Sequence, residues 1–102
     1  MNKALVKSKI LEEINKNPLK KDVVRVSLFG SYLRGEQNEN SDVDLLIEFK
    51  PAAKVGLFGL SRLQNELEDL LKTKVDLVTP DSLSQYFKSE VLSRAEPIYE
   101  EK

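Results

Sequence analysis

The chain has 102 residues, with 16 Lys and Arg against 17 Asp and Glu and a formal net charge of −1, so we expect residues 1–102 to form one globular domain. It contains neither Cys nor His, which excludes disulfides, zinc clusters, a Cys nucleophile, a Ser-His-Asp triad and any imidazole base. Any chemistry must therefore come from carboxylates, hydroxyls, Lys, Arg, the backbone or a borrowed metal ion.

The first half of the chain alternates between helical and strand patterns. Apolar residues at helical spacing predict a helix over residues 2–16. An alternating, β-branched run predicts a strand over residues 23–29, and a short helix follows over residues 31–36. After a polar loop, residues 42–49 predict a second strand.

The second half continues this alternation. One stripe of leucines predicts a helix between Gly56 and Lys72 with its apolar face in the core. A third strand is predicted over residues 74–79, then a helix that begins at Pro80-Asp81-Ser82 and reaches Ala95, and a short extended piece after it. Strands that alternate with helices indicate an α/β layered fold. The late aromatic residues are interpreted as packing of the last helix rather than an exposed docking patch, namely Tyr86, Phe87 and Tyr99.

Carboxylates interrupt two apolar strands. Asp42 and Asp44 stand two residues apart on one predicted strand, so their side chains project from the same face. Asp76 lies between two apolar residues of the third strand, so the three carboxylates meet if these strands are neighbours. Carboxylates that lie close together oppose each other's ionisation, and a divalent cation reverses that balance. Ligands that are all oxygen atoms suit Mg²⁺ or Mn²⁺ better than zinc. The alternative is that Asp42 and Asp76 are ordinary solvated acids at a strand start and on an edge strand.

A strand that runs directly into Gly30-Ser31 is a candidate phosphate site. Gly allows a close backbone approach, and free N–H groups at a helix start attract anions. Ser31 adds a hydroxyl donor, and Arg34 adds a permanent positive charge one turn later. The alternative is an ordinary strand-to-helix turn. The spacing of Gly30 and Gly35 fits a P-loop, but the Lys-Ser/Thr that should follow is missing, so a P-loop is excluded.

The combined pattern resembles a known family. Gly30-Ser31, ten intervening residues and Asp42-Val43-Asp44 resemble the signature of the DNA polymerase beta-like nucleotidyltransferase superfamily. The stretches over residues 29–36 and 41–47 resemble its minimal nucleotidyltransferase (MNT) branch, and Asp76 matches the family's third acid. The resemblance implies an α/β (α+β) fold like the polymerase beta palm, a small mixed sheet of three to four strands with helices packed against it.

The resemblance also implies a reaction, the Mg²⁺-dependent transfer of AMP from ATP to an acceptor hydroxyl. Carried over residue by residue, Asp42, Asp44 and Asp76 would be the catalytic acids and the ligands of two Mg²⁺ ions, for which Mn²⁺ is a substitute. Gly30 and Ser31 would bind the outer phosphates of the nucleotide, with Arg34 as a helper.

The acceptor would be a macromolecule, because the chain has no second domain to hold a small one. The acceptor site would come from a partner or from a second copy of the chain. Minimal members that resemble this chain are commonly antitoxins, which adenylylate a tyrosine of a HEPN-domain ribonuclease toxin. The alternative functions are a non-catalytic antitoxin or nucleotide-binding module that masks its partner, and a domain that binds Mg²⁺ only structurally. Retention of three acids with Gly30-Ser31 favours the enzyme.

Location and nucleic-acid binding follow from what the sequence lacks. No apolar run approaches the roughly 18 residues of a membrane span, and nothing resembles a signal peptide, so we expect a cytoplasmic protein. The near-neutral charge and scattered basic residues argue against direct binding of duplex DNA, which depends on many phosphate contacts.

Overall fold

The structure is a computed structural model that describes residues 2–101. The elements follow one another in chain order as helix α1 (Lys3–Lys16), strand β1 (Val23–Phe29), short helix α2 (Gly30–Arg34), strand β2 (Val43–Phe49), helix α3 (Leu57–Leu71), strand β3 (Val75–Val78), helix α4 (Gln85–Arg94) and strand β4 (Glu96–Glu100). Short 3₁₀ turns lie at Pro18–Asp22 and Pro80–Ser82.

The four strands form one mixed sheet in the order β3-β2-β1-β4. Strand β1 pairs antiparallel with both β2 and β4, whereas β2 pairs parallel with β3. A parallel pair needs a long crossover connection, and α3 supplies it between β2 and β3. The predicted α/β (α+β) fold with a small mixed sheet of three to four strands is therefore confirmed.

One face of the sheet carries the hydrophobic core, because α1 and α3 pack against it. The core joins side chains from both helices to alternate residues of the strands, and its central members are Val6, Ile10, Ile14, Val26, Leu28, Val43, Leu45, Ile47, Leu63, Leu67, Leu71, Val75 and Leu77. Residues of opposite parity on the strands therefore lie on the second face, which is the face of Asp44 and Asp76. Ser27 and Leu46 are buried on this second face, so what it leaves available for a site is the end that carries Asp44 and Asp76.

Asn17 ties the two core helices together beside the sheet. Its side-chain amide donates hydrogen bonds to Glu13 Oε2 at 3.1 Å and to Glu66 Oε2 at 2.8 Å. Its side-chain oxygen accepts from the backbone N–H of Leu19 at 2.9 Å. Asn17 is buried, so these three hydrogen bonds satisfy polar groups that would otherwise be desolvated without a partner.

The leucine stripe is buried only from its second turn onward. Leu63, Leu67 and Leu71 are in the core, so the prediction of a core helix is confirmed for them, but Leu57 is 82% exposed and does not belong to the core face. The 15 residues of α3 span about 22 Å, whereas the four residues of β3 span only about 13 Å. The helix is therefore longer than the strand on which it packs.

The last helix differs most from its prediction. The sequence predicts a helix from Pro80-Asp81-Ser82, but these residues form a separate 3₁₀ turn, and α4 begins at Gln85 after the cap residue Ser84. Tyr86 is 92% exposed and Phe87 61% exposed, so the prediction that both pack into the core is wrong. The first turn of α4 therefore extends into solvent. Within residues 2–101, no helix is long and apolar enough to cross a membrane.

Candidate active site

Asp44 lies between two neighbouring strands at one end of the sheet. In the strand register it is the partner of Asp76 on β3 and of Phe29 on β1. Register partners on adjacent strands share a face and lie about 5 Å apart. The condition that the second and third strands be neighbours is therefore met, and this pairing brings Asp44 and Asp76 side by side on the face opposite the core.

Gly30 follows β1 and contacts the side chain of Asp44. Its φ is +74°, in the left-handed region that favours glycine. A Cβ at this position would overlap Asp44 Oδ2 and lie 2.9 Å from Asp44 Cγ. The absence of a side chain at residue 30 is therefore what leaves room for the Asp44 carboxyl group.

Asp42 lies one residue before β2 rather than within it, since the strand begins at Val43. Its Oδ2 is 4.0 Å from Lys74 Nζ, so the carboxylate forms a long, exposed ion pair at the start of β3. Asp76 is exposed on the edge strand. Across residues 2–101, no three acidic side chains are already gathered closely enough to hold one metal ion. At least one of the three side chains would therefore have to reorient for all of them to share one ion.

Burial and negative neighbours perturb the Asp44 carboxyl group. Partial burial, followed by the charges of Asp76 and then Asp42, raises the pKa of Asp44 to about 6, while the charge of Arg34 acts in the opposite direction. Functional sites often contain a carboxyl group whose surroundings disfavour its charged form. A bound cation would relieve the repulsion between Asp44 and its negative neighbours. The donors are all carboxylate oxygens and therefore fit Mg²⁺ or Mn²⁺.

Ser31 and Arg34 lie on α2, directly after Gly30. The Ser31 carbonyl accepts hydrogen bonds from the backbone N–H groups of Gly35 and Glu36, which close the short helix. Arg34 Nε lies 3.3 Å from Glu36 Oε2 in an exposed ion pair. The structure thus brings Gly30, Ser31 and Arg34 to the Asp44 end of the sheet.

Sequence reasoning did not place α4 beside these residues. A cavity of about 350 Å³ adjoins Gly30 and lies between α2 and α4. The residues of α4 that line it are Phe87, Glu90, Val91 and Arg94. These four positions have the spacing i, i+3, i+4 and i+7 of one helix face. That spacing is present in the sequence, but the prediction of a longer helix packed into the core hid it.

Acids on adjacent strands of a mixed sheet, beside a Gly-Ser turn, are the arrangement that the resemblance to nucleotidyltransferases with a polymerase beta-like palm implies. The model of the nucleotidyltransferase domain family matches residues 7–98. The chain therefore belongs to the nucleotidyltransferase domain family.

Two relatives place it more closely within this family. It is 41% identical over 95 residues to a Methanocaldococcus jannaschii protein that bears the provisional name protein adenylyltransferase, covering 93% of this chain and 96% of the relative. It is also 41% identical over 70 residues to the protein adenylyltransferase MntA of Thermococcus cleftensis, covering 69% of each protein.

Solved structures share the fold. A protein provisionally described as a minimal nucleotidyltransferase superposes with a TM-score of 0.77 at 34% identity, over 95% of this chain and 96% of that one. A toxin-antitoxin complex with AMP-PNP gives a TM-score of 0.75 at 26% identity, over 94% of this chain and 74% of its counterpart. One chain from the complex of a tri-AMPylated Shewanella oneidensis HEPN toxin with an MNT antitoxin has the same fold. Its TM-score is 0.69 at 22% identity, over 97% of this chain and 73% of that one.

Proposed function

We propose that this chain is a protein adenylyltransferase that transfers AMP from ATP to a hydroxyl group of a partner protein. The observation that carries the proposal is the contact of Asp44 with Gly30 on one side and its register pairing with Asp76 on the other. The names of the relatives support AMP as the transferred group and a protein as the acceptor. We take residues 1–102 to be a single minimal nucleotidyltransferase domain.

In this proposal Asp42, Asp44 and Asp76 hold Mg²⁺, with Mn²⁺ as a substitute. The bound ions would neutralise the charge of the triphosphate and of the departing pyrophosphate. Two observations support this assignment. The three side chains offer only oxygen donors, and Gly30 leaves room for the Asp44 carboxyl group. Asp44 is the central ligand, because it alone borders both Gly30 and Asp76.

Gly30 and Ser31 bind the outer phosphates in this proposal, and Arg34 assists with its positive charge. The acceptor oxygen forms a bond to the α-phosphorus, the bond from that phosphorus to the bridging oxygen breaks, and pyrophosphate leaves. Asp76 takes the proton of the acceptor hydroxyl. Its exposed position on the edge strand β3 supports this role, since a macromolecular acceptor can reach it there.

We further propose that the acceptor is a HEPN-type toxin, that a tyrosine of the toxin is modified, and that this chain is the antitoxin. Support comes from the toxin-antitoxin complex with AMP-PNP, which shares the fold over 94% of this chain. A macromolecular acceptor also agrees with the exposure of Asp76 on the edge strand β3.

The test uses ATP labelled on its α-phosphate, with Mg²⁺, the purified chain and a lysate of its own organism. We expect label on a protein that mass spectrometry identifies as a HEPN protein modified on tyrosine, and no label on that protein from γ-labelled ATP. Asp44→Asn should abolish labelling, whereas Asp81→Asn, which removes a fully exposed acid far along the chain from these acids, should not. Labelling by Asp44→Asn at the wild-type rate would contradict the metal assignment.

A cellular test separates catalysis from masking. A variant in which all three acids become Asn retains the surface of the protein but removes its metal ligands. If this variant still neutralises the partner toxin, the chain acts by masking, and the adenylyltransferase proposal fails for its biological role.

A further inference from the structure

The cavity between α2 and α4 has Gly30 and Arg34 in its lining, but the proposed function gives the rest of the cavity no role. Its volume of about 350 Å³ falls within the range of small-molecule sites. Leu33 of α2 and Phe87 and Val91 of α4 supply apolar walls. Arg34 and Arg94 supply two positive charges against the one negative charge of Glu90. This combination of flat apolar surface and guanidinium groups suits an aromatic ligand that also carries negative charge.

The cavity lies on one defined side of the acids. Along the sheet, Asp76 is on β3, Asp44 is on β2, and Gly30 follows β1, so the cavity beside Gly30 lies toward β4. Phosphoryl-type transfer requires the attacking and leaving oxygens to be roughly in line. If the outer phosphates lie at Gly30, the acceptor approaches from the Asp76 side. The cavity is therefore on the side away from the acceptor, where it adjoins the outer phosphates. The nucleoside stays bonded to the α-phosphorus and is not part of the reacting line, so it can turn beside Gly30 into this cavity.

The cavity walls are also free to receive a ligand. Phe87 is 61% exposed, although its ring borders the cavity, and α4 has no buried residue among those described. The Arg94 side chain is 73% exposed and lies 3.3 Å from Glu90 in a pair within the same helix. An exposed pair of this kind is weak, so a nucleotide can replace Glu90 as the partner of Arg94.

We infer that this cavity is the nucleoside pocket of the enzyme, in which the base of the nucleoside triphosphate stacks on Phe87 and Arg94 supplies a cation beside it. The inference rests on the proposed function, since it takes the outer phosphates to lie at Gly30 and Ser31. It adds α4 to the site and assigns Phe87 and Arg94 as nucleotide-binding residues. Phe87 is a specificity-determining residue, because it contacts the base and not the reacting atoms.

The test compares two probes that share a triphosphate but differ in the nucleoside. Calorimetry would measure binding of AMP-PNP and of inorganic tripolyphosphate, each with Mg²⁺, to the full chain. Phe87→Ala should weaken AMP-PNP binding about tenfold, the loss expected for one base-aromatic stack, and change tripolyphosphate binding less than twofold. Phe87→Trp should restore AMP-PNP affinity.

Tyr86→Ala is the matched control. Tyr86 is the neighbouring aromatic residue of α4 and is 92% exposed, but it does not line the cavity, so neither affinity should change. Both aromatic side chains are largely exposed, and thermal melting should show that both variants stay folded.

The outcomes separate the inference from the proposed function. If Phe87→Ala binds AMP-PNP as the wild type does, or loses both probes equally, the nucleoside pocket is wrong, while the phosphate site at Gly30 still stands. If the wild type binds neither probe, the phosphate site itself is wrong and the inference falls with it.

Discussion

Gly30 and Asp44 are in such close contact that no side chain can stand at residue 30 without displacing the Asp44 carboxyl group. An added Cβ would lie 2.9 Å from Asp44 Cγ and 3.1 Å from its Cβ, while the φ of +74° separately favours glycine. The Gly-Ser turn therefore has two functions in our proposal. It approaches the phosphates, and it sets the position of the central metal ligand.

This contact predicts that Gly30→Ala impairs both stability and transfer. The left-handed backbone alone costs about 1–2 kcal/mol for a residue with a Cβ, and displacement of Asp44 adds to it. Gly35→Ala is the matched control, because Gly35 has a φ of +72° but no atom within 4 Å of its added Cβ. Chemical unfolding and the labelling assay would measure both variants. Equal loss of transfer in the two would mean that the Asp44 contact has no role.

Asp44→Asn should raise the stability of the metal-free protein above pH 7. The pKa of Asp44 is raised to about 6 in the folded chain, so the folded state binds this proton more tightly than the unfolded state does. The stabilisation from the protonated group is complete below about pH 4 and is lost as the pH rises through 6. Asn cannot ionise and avoids this loss.

Thermal melting from pH 4 to pH 8 without divalent cations would measure the effect. The melting temperature of the wild type should fall relative to Asp44→Asn between pH 4 and pH 7. Asp81→Asn, a change at a fully exposed acid, should follow the wild-type curve. Parallel curves for the wild type and Asp44→Asn would show that residue 44 is not electrostatically strained.

Mg²⁺ and Mn²⁺ should stabilise the wild type more at high pH than at low pH, opposite to the effect of the Asp44 proton. At pH 5 most of the Asp44 carboxyl group is protonated, and the proton competes with the metal ion, whereas at pH 7.5 the ligand is ionised. A ligand at ten times its Kd stabilises the folded state by about 1.4 kcal/mol, or roughly 6 °C or more in the melting temperature of a domain of this size. We expect this increase at pH 7.5 and a much smaller one at pH 5. An equal increase at both values, or an increase retained in Asp44→Asn, would place the metal elsewhere.

The sequence predicted the acids and the strands that carry them better than it predicted their contacts. The alternating pattern of residues 23–29 matches β1 at both ends, because hydrophobic alternation reports directly which face is buried. The meeting of Asp44 and Asp76 required that their strands be neighbours, which a crossover helix between them made reasonable. The contact of Gly30 with Asp44 depends on a backbone angle and on strand register, and no residue pattern encodes either one locally.

The beginning of α4 shows why the other side of the site was missed. Two capping signals lie close together in the sequence, at Asp81-Ser82 and at Ser84, and both favour a helix start. The second prevails, since Ser84 Oγ accepts a hydrogen bond from the Tyr86 N–H at 3.2 Å while Pro80–Ser82 closes as a 3₁₀ turn. Apolar residues such as Phe87 look like core residues in the sequence. Only their place over the open sheet face shows that they border a cavity.

Asn17→Ala should destabilise the protein without changing nucleotide binding. The substitution removes hydrogen bonds to Glu13, Glu66 and the Leu19 N–H, and it leaves the Glu13 carboxylate buried without this partner. We expect a loss of about 2–3 kcal/mol in urea unfolding. Asn2→Ala, which removes only the exposed cap of α1, should cost about 1 kcal/mol. AMP-PNP affinity should remain that of the wild type in both, because α1 and α3 pack on the sheet face opposite the acids. A weaker affinity in Asn17→Ala alone would show that the α1–α3 connection supports the site through the sheet.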